Sequence, residues 1–206
     1  MKFPLGLHDS AGDYWTCYRQ AVAQASASVD TDAVERGAEL LDDLFASGRT
    51  LYVCGNGGSA AIANHLLCDF AKGIQTDTPI RPRVVSLSSH LELILAIGND
   101  IDFAEVFAYQ VRSFASKGDA LMTISASGNS ENVVRAVHAA RAAGAATIAL
   151  TGFHGGRCSE IADVNIHVAA SNYGIVEDVH QSLMHVFAQY LRLRRMDASL
   201  IAAKDF

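Results

Sequence analysis

Several things are scarce in this 206-residue chain, and each shortage removes a class of protein. The 4 cysteines, Cys17, Cys54, Cys68 and Cys158, are scattered, with no C-x-x-C pair and no metal-finger spacing. That points to a reduced protein of the cytoplasm, with no disulfide framework. Half the residues are hydrophobic, yet no uninterrupted apolar run approaches a membrane span. The opening Met1-Lys2-Phe3-Pro4 lacks the basic-then-apolar layout of a signal peptide. Basic excess is missing too. A net charge of -6 leaves no basic face for neutralising nucleic-acid phosphates. The densest basic group, Arg192, Arg194 and Arg195, closes an expected helix, where cations suit the negative end of the dipole. No repeat, low-complexity segment or linker interrupts the chain.

What is present is an alternation. Residues 9–28 and 31–48 read as two helices, divided by the N-cap signal Asp30-Thr31-Asp32. Val34, Leu40, Leu41, Leu44 and Phe45 recur at helical spacing in the second. Five β-type runs follow, Thr50–Cys54, Arg83–Leu87, Ala120–Ser125, Ala146–Leu150 and Val164–Val168, each trailed by a helical stretch. Residues 174–195 form a long last helix, and Gly73 to Pro82 the longest loop. Strands alternating with helices give a five-stranded parallel sheet covered by helices on both faces. We therefore expect one domain over 1–206: N-terminal helices to residue 48, an α/β core over 49–195 and a tail over 196–206.

Two loops fall at the carboxyl ends of strands, where an open α/β sheet binds ligands. They are Gly55-Asn56-Gly57-Gly58-Ser59 and Ser125-Ala126-Ser127-Gly128-Asn129-Ser130. The dinucleotide fingerprint needs a third glycine and an acidic end to the second strand; here that run ends Val85-Ser86-Leu87. The Walker lysine is absent as well, so no nucleotide cofactor is expected. What remains is phosphate binding by hydroxyls and backbone N–H groups. Asn56, Gly57, Ser59, Ser125, Ser127 and Ser130 are the candidates, with Asn129 or Ser130 capping the next helix. Ordinary strand-to-helix turns use the same residues, but two such loops on neighbouring units suit one small phosphorylated ligand.

These loops, with Gly98-Asn99-Asp100 and Leu150-Thr151-Gly152, resemble the sugar isomerase (SIS) domain family, and within it the phosphoheptose isomerase group. The likeness runs from about residue 10 to residue 195. It implies a flavodoxin-like sheet, a homotetramer that uses the N-terminal helices, active sites between subunits, and in some members a bound zinc. It implies interconversion of sedoheptulose 7-phosphate and a heptose 7-phosphate, and it adds Asn99 and Asp100 to the substrate-binding candidates. Such an isomerase moves a proton between adjacent carbons through an enediol, with a base and a group that polarises the carbonyl.

His65 and Asp69 stand i, i+4 on one expected helix; Glu177 and His185 stand eight apart on one face of the last, with Gln181 between them. All four could bind one zinc. Asp69, Glu177 and His185 are the catalytic candidates, with the base open between the two carboxylates and Glu177 also counted among the substrate contacts. The family pattern carries a glutamate at 69, a glutamine at 177, a threonine at 126 and an aspartate at 174, where this chain has Asp69, Glu177, Ala126 and Gly174. The first two changes look reciprocal, as in a site remodelled for another sugar phosphate. A non-catalytic phosphosugar sensor or partner-binding scaffold, of the replication-initiator-binding type, is the competing reading. His90 and His180 are expected to flank the site, Asp100 and Asp102 to cap the helix near Phe103, Cys54 and Cys68 to be buried, and Tyr173 to line the sugar pocket.

Overall fold

The computed structural model describes residues 1–204. Strands β1 (Thr50–Gly55), β2 (Arg83–Ser86), β3 (Ala120–Ser125), β4 (Ala146–Thr151) and β5 (Val164–His167) form one all-parallel sheet in the order β2-β1-β3-β4-β5. Each ends within one residue of the run that the sequence marks. The order is flavodoxin-like, with its topological switch between β1 and β3. Along β1, Leu51 and Val53 pack into one core, Tyr52 and Cys54 into the other. Period-two alternation of wholly apolar strands is what a sheet buried on both faces requires.

One face carries α1 (Ala11–Ser26), α2 (Thr31–Ala46), α3 (Gly58–Cys68) and α8 (Tyr173–Arg195). The other carries α4 (Leu91–Asp100), α5 (Val106–Phe114), α6 (Glu131–Ala142) and α7 (Gly156–Ile161). Asp30 caps α2 as expected, accepting from the Asp32 N–H. Asp102 caps a 3-10 turn, Phe103–Glu105, but Asp100 does not cap; it is the last residue of α4. The loop expected from Gly73 starts later, because α3 runs on into a π-helical turn over Asp69–Ile74 that buries Phe70 and Ile74 completely. Cys68 is exposed where burial was expected, since it lies about 200° round the helix from the buried Leu66. The tail holds a short helix, α9 (Ala198–Ile201), and its residues 205–206 lie outside the described residues.

The basic end of α8 is structural. Arg195 makes two hydrogen bonds to the Asp42 carboxylate of α2, at 2.8 and 2.6 Å, and Arg194 approaches it at 3.4 Å. Arg192 pairs with Asp77 at 3.1 Å. Asp42 is buried while its arginines remain partly exposed, so removing it costs less than breaking a fully buried pair. Asp42→Ala is expected to lower stability by about 2 kcal/mol, measured as a shift in the urea unfolding midpoint.

Candidate active site

The register of β1 with β3 places Gly55 beside Ile124, so the two glycine–serine loops leave the sheet side by side. Gly128 has φ +64°, and a Cβ there would come within 1.9 Å of the Gly155 carbonyl oxygen, so only glycine closes this turn. The Ser125 hydroxyl accepts from the Gly128 N–H at 3.2 Å, and Ser127 from the Asn129 N–H at 3.3 Å. Ser130 occupies the N-cap of α6 without a capping side-chain bond, and Gly57 does the same for α3. The first N–H groups of both helices therefore lack a side-chain acceptor, which suits an anion.

An open pocket of about 370 Å³ lies between these loops and the start of α8. Its walls include Asn56, Ser59, Ser125, Ser127, Ser130, Tyr173 and Glu177, together with Ile124 and Ala126. Gly57 borders it in the chain without lining it. Asn56 is committed to a reciprocal amide pair with Asn132, 2.9 Å in each direction, and so ties the start of α3 to α6.

Asn99 and Asp100 do not reach this pocket. They end α4, about 14 Å along that helix from its start beside the strand ends, where Asn99 donates to Asp100 at 2.7 Å. His90 is held by Gln110 at 2.7 Å, which in turn donates to the Leu87 and Val106 carbonyls.

Glu177 is the carboxylate among the pocket's lining residues. It faces Gly58 so closely that a Cβ there would meet its Oε2 at 2.4 Å. Burial, and then the neighbouring Asp178, hold its carboxyl above the ordinary range. One turn earlier on α8, the exposed Tyr173 ring leans on Phe153 with centroids 4.8 Å apart. Tyr18 of α1 donates to Asp178 at 2.7 Å. Its hydroxyl lies 3.0 Å from where a Cβ at position 174 would sit. Gly174 thus makes room for a phenol from α1, a role that no local sequence pattern signals.

The four expected metal ligands separate into two groups. His65 Nε2 lies 3.4 Å and His185 Nε2 3.6 Å from the Asp69 carboxylate. Among the described residues these three supply donor atoms within 4.8 Å of one another. Glu177 is not among them. It lies eight residues from His185 on α8, a rise of about 12 Å, so shared helix face did not mean shared site. Two imidazoles, a carboxylate and room for a further donor are a fitting set for zinc.

His180 stands between the groups in sequence but faces inward. It is fully buried, and its Nε2–H donates to the Thr151 carbonyl at 3.1 Å.

Residues 14–152 match the SIS domain family. The chain is 41% identical over 157 residues to the phosphoheptose isomerase of Nitratidesulfovibrio vulgaris strain Hildenborough, covering 76% of this chain and 75% of that protein. It is 35% identical over 160 residues to that of Aliarcobacter butzleri, covering 78% and 84%. The phosphoheptose isomerase of Neisseria gonorrhoeae superposes with a TM-score of 0.79 at 31% identity, over 87% of this chain and 95% of that one. The Francisella tularensis enzyme does so with 0.81 at 27% identity, over 89% and 99%.

Fold and site together define a phosphosugar-binding α/β protein. The chain belongs to the SIS domain family and is a sugar-phosphate isomerase. The sensor reading gives way to the enzyme. Among the described residues, no helix is long and apolar enough to cross a membrane.

Burial pushes His180 down to about 4, so the folded protein holds it neutral where the unfolded chain would protonate it. Stability present in full above pH 6.5 should be lost as the pH falls toward 4, by up to about 3 kcal/mol. Thermal unfolding across that range should show a shallower slope for His180→Gln.

Proposed function

We propose that the chain interconverts sedoheptulose 7-phosphate and a heptose 7-phosphate through an enediol, with Glu177 as the base. The seven-carbon pair comes from what the relatives are named for. The phosphate end rests on the serine hydroxyls and the open starts of α3 and α6. The observation that carries the base assignment is that Glu177 lines the phosphate-loop pocket, whereas Asp69 is engaged by two histidines.

Glu177 takes the proton from the hydroxyl-bearing carbon next to the carbonyl, as the carbonyl oxygen gains one from the His185 imidazolium. The enediol collapses the other way: Glu177 returns its proton to the former carbonyl carbon, and the second hydroxyl gives its proton back to the imidazole. A carboxyl held above its ordinary range is the stronger base for this work. His65, Asp69 and His185 would hold one zinc per site, and a zinc held there would stand in place of the His185 proton, polarising the carbonyl oxygen.

The rise of about 12 Å from Glu177 to His185 exceeds one reacting carbon pair. The working site is therefore shared between copies in a homotetramer. Exposed Val186, Tyr190 and Leu193, which flank His185 on α8, support that contact.

Glu177→Gln should lower kcat by about 10²–10⁴-fold with KM little changed, measured by turnover of sedoheptulose 7-phosphate. Parental turnover in that variant, with Asp69→Asn inactive, would move the base to Asp69. In the parent, kcat/KM should fall on the acid side at a pH above the ordinary carboxylate range, because Glu177 acts ionised. Gly58→Ala separates position from stability. The clash is with the end of a flexible side chain, so the melting temperature should move by only a few degrees. A base displaced by about 1 Å should still cost about 100-fold in kcat.

A further inference from the structure

The two helix starts beside the pocket are joined by one pair of side chains. Asn56 directly precedes Gly57, the N-cap of α3, and Asn132 is the second residue of α6. Each amide donates to the other: Asn56 Nδ2 to Asn132 Oδ1 and Asn132 Nδ2 to Asn56 Oδ1, both at 2.9 Å. Among the described residues, these are the only side-chain hydrogen bonds between the 55–59 loop and the 125–132 segment. Asparagine is a poor helix former, and the N-cap of α6 is already held by Ser130. The amide at 132 is spent on the neighbouring helix instead.

We propose that Asn132 is a positioning residue for the phosphate of the substrate. Through Asn56 it sets the start of α3 against the start of α6, so that N–H groups of both helices converge on one anion. Asn56, though it lines the pocket, acts through the same clasp.

The arrangement around the pair supports this. Each loop turns through a glycine in the left-handed region, Gly57 at φ +54° and Gly128 at φ +64°, and each is anchored on its outer side. On the β2 side, the Ser88 hydroxyl accepts from the Gly55 N–H at 3.1 Å and donates to the Gly55 carbonyl at 2.8 Å. On the α7 side, the Arg157 N–H donates to Asn129 Oδ1 at 3.1 Å and the Cys158 N–H to the Gly128 carbonyl at 2.9 Å. The asparagine pair closes the inner side, between the two helix starts. Two bonds of opposite sense fix an angle as well as a distance. Asn132 is 3% exposed, so water does not readily replace a lost partner there.

The inference rests on the sugar-phosphate reading of the pocket, and its test separates the two. Inorganic phosphate is titrated into the intact protein by calorimetry, and turnover of sedoheptulose 7-phosphate is followed in parallel. Asn132→Ala should bind phosphate about 10–100-fold more weakly, the range for misaligned hydrogen bonds to a charged group. KM should rise by a similar factor while kcat falls much less, because Glu177 stands on α8, outside the pair. A merely structural role would lower the melting temperature and leave the folded protein's phosphate affinity and KM unchanged. Asn56→Ala should give the same loss. The double variant should bind no more weakly than either single one, since each removes the same pair. Asn132→Leu, which keeps the buried volume, takes the place of Asn132→Ala if circular dichroism shows that the latter is unfolded.

Parental phosphate affinity in a folded Asn132 variant overturns the proposal. So do additive losses in the double variant, which would make Asn56 a direct contact of the anion, and so does a parent that binds no phosphate. The expected pattern of phosphate binding in a protein that does not turn over the sugar would leave the clasp standing and remove the isomerase reading.

Discussion

The site depends on one packing contact, α3 laid alongside α8 in the same direction. Both helices leave the carboxyl edge of a parallel sheet and cover the same face, so they descend together. Gly58 meets Glu177, His65 meets Gln181, and Asp69 meets His185. Chemistry is thereby laid out turn by turn along the seam. A pocket with serine hydroxyls and a carboxylate stands at the top, and a nitrogen–oxygen donor cluster lies two turns below. The closeness at the top is possible because residue 58 has no side chain.

The same seam bears on two of this chain's departures from the family pattern, and the contact of α1 with α8 on a third. The carboxylate at 177 lines the pocket, the shorter one at 69 faces two histidines, and Gln181 sets an amide beside both rings. Gly174 belongs with Tyr18, whose hydroxyl takes the neighbouring space and secures Asp178. The buried Ala126 lines the pocket, and nothing in the structure explains why alanine stands there.

Much of this was legible in the sequence because it follows from local rules. Short apolar runs such as Leu51–Cys54, set between turn residues, read as strands buried on both faces, and the turn residues after them mark where ligands bind. The limits are equally physical. Helical periodicity showed that Glu177 and His185 share a face of α8, but it carries no information about which turn meets which neighbour, so one expected site became two. Asn99 and Asp100 come from motif likeness alone, and within one chain they end α4, outside the lining of this pocket. The π-helical turn at Asp69–Ile74 is set by tertiary burial of Phe70 and Ile74, and a segment containing Gly73 gives no local sign of that. Tyr18 reaches Asp178 across 160 residues of chain, a pairing beyond any local pattern.

The most direct measurement is proton NMR of the purified enzyme with sedoheptulose 7-phosphate in deuterated buffer, with and without added zinc. Deuterium entering at the carbon next to the carbonyl, with an aldose signal growing in, is the expected result and establishes enediol chemistry on this sugar. A bound sugar that neither exchanges nor isomerises in either buffer would contradict it.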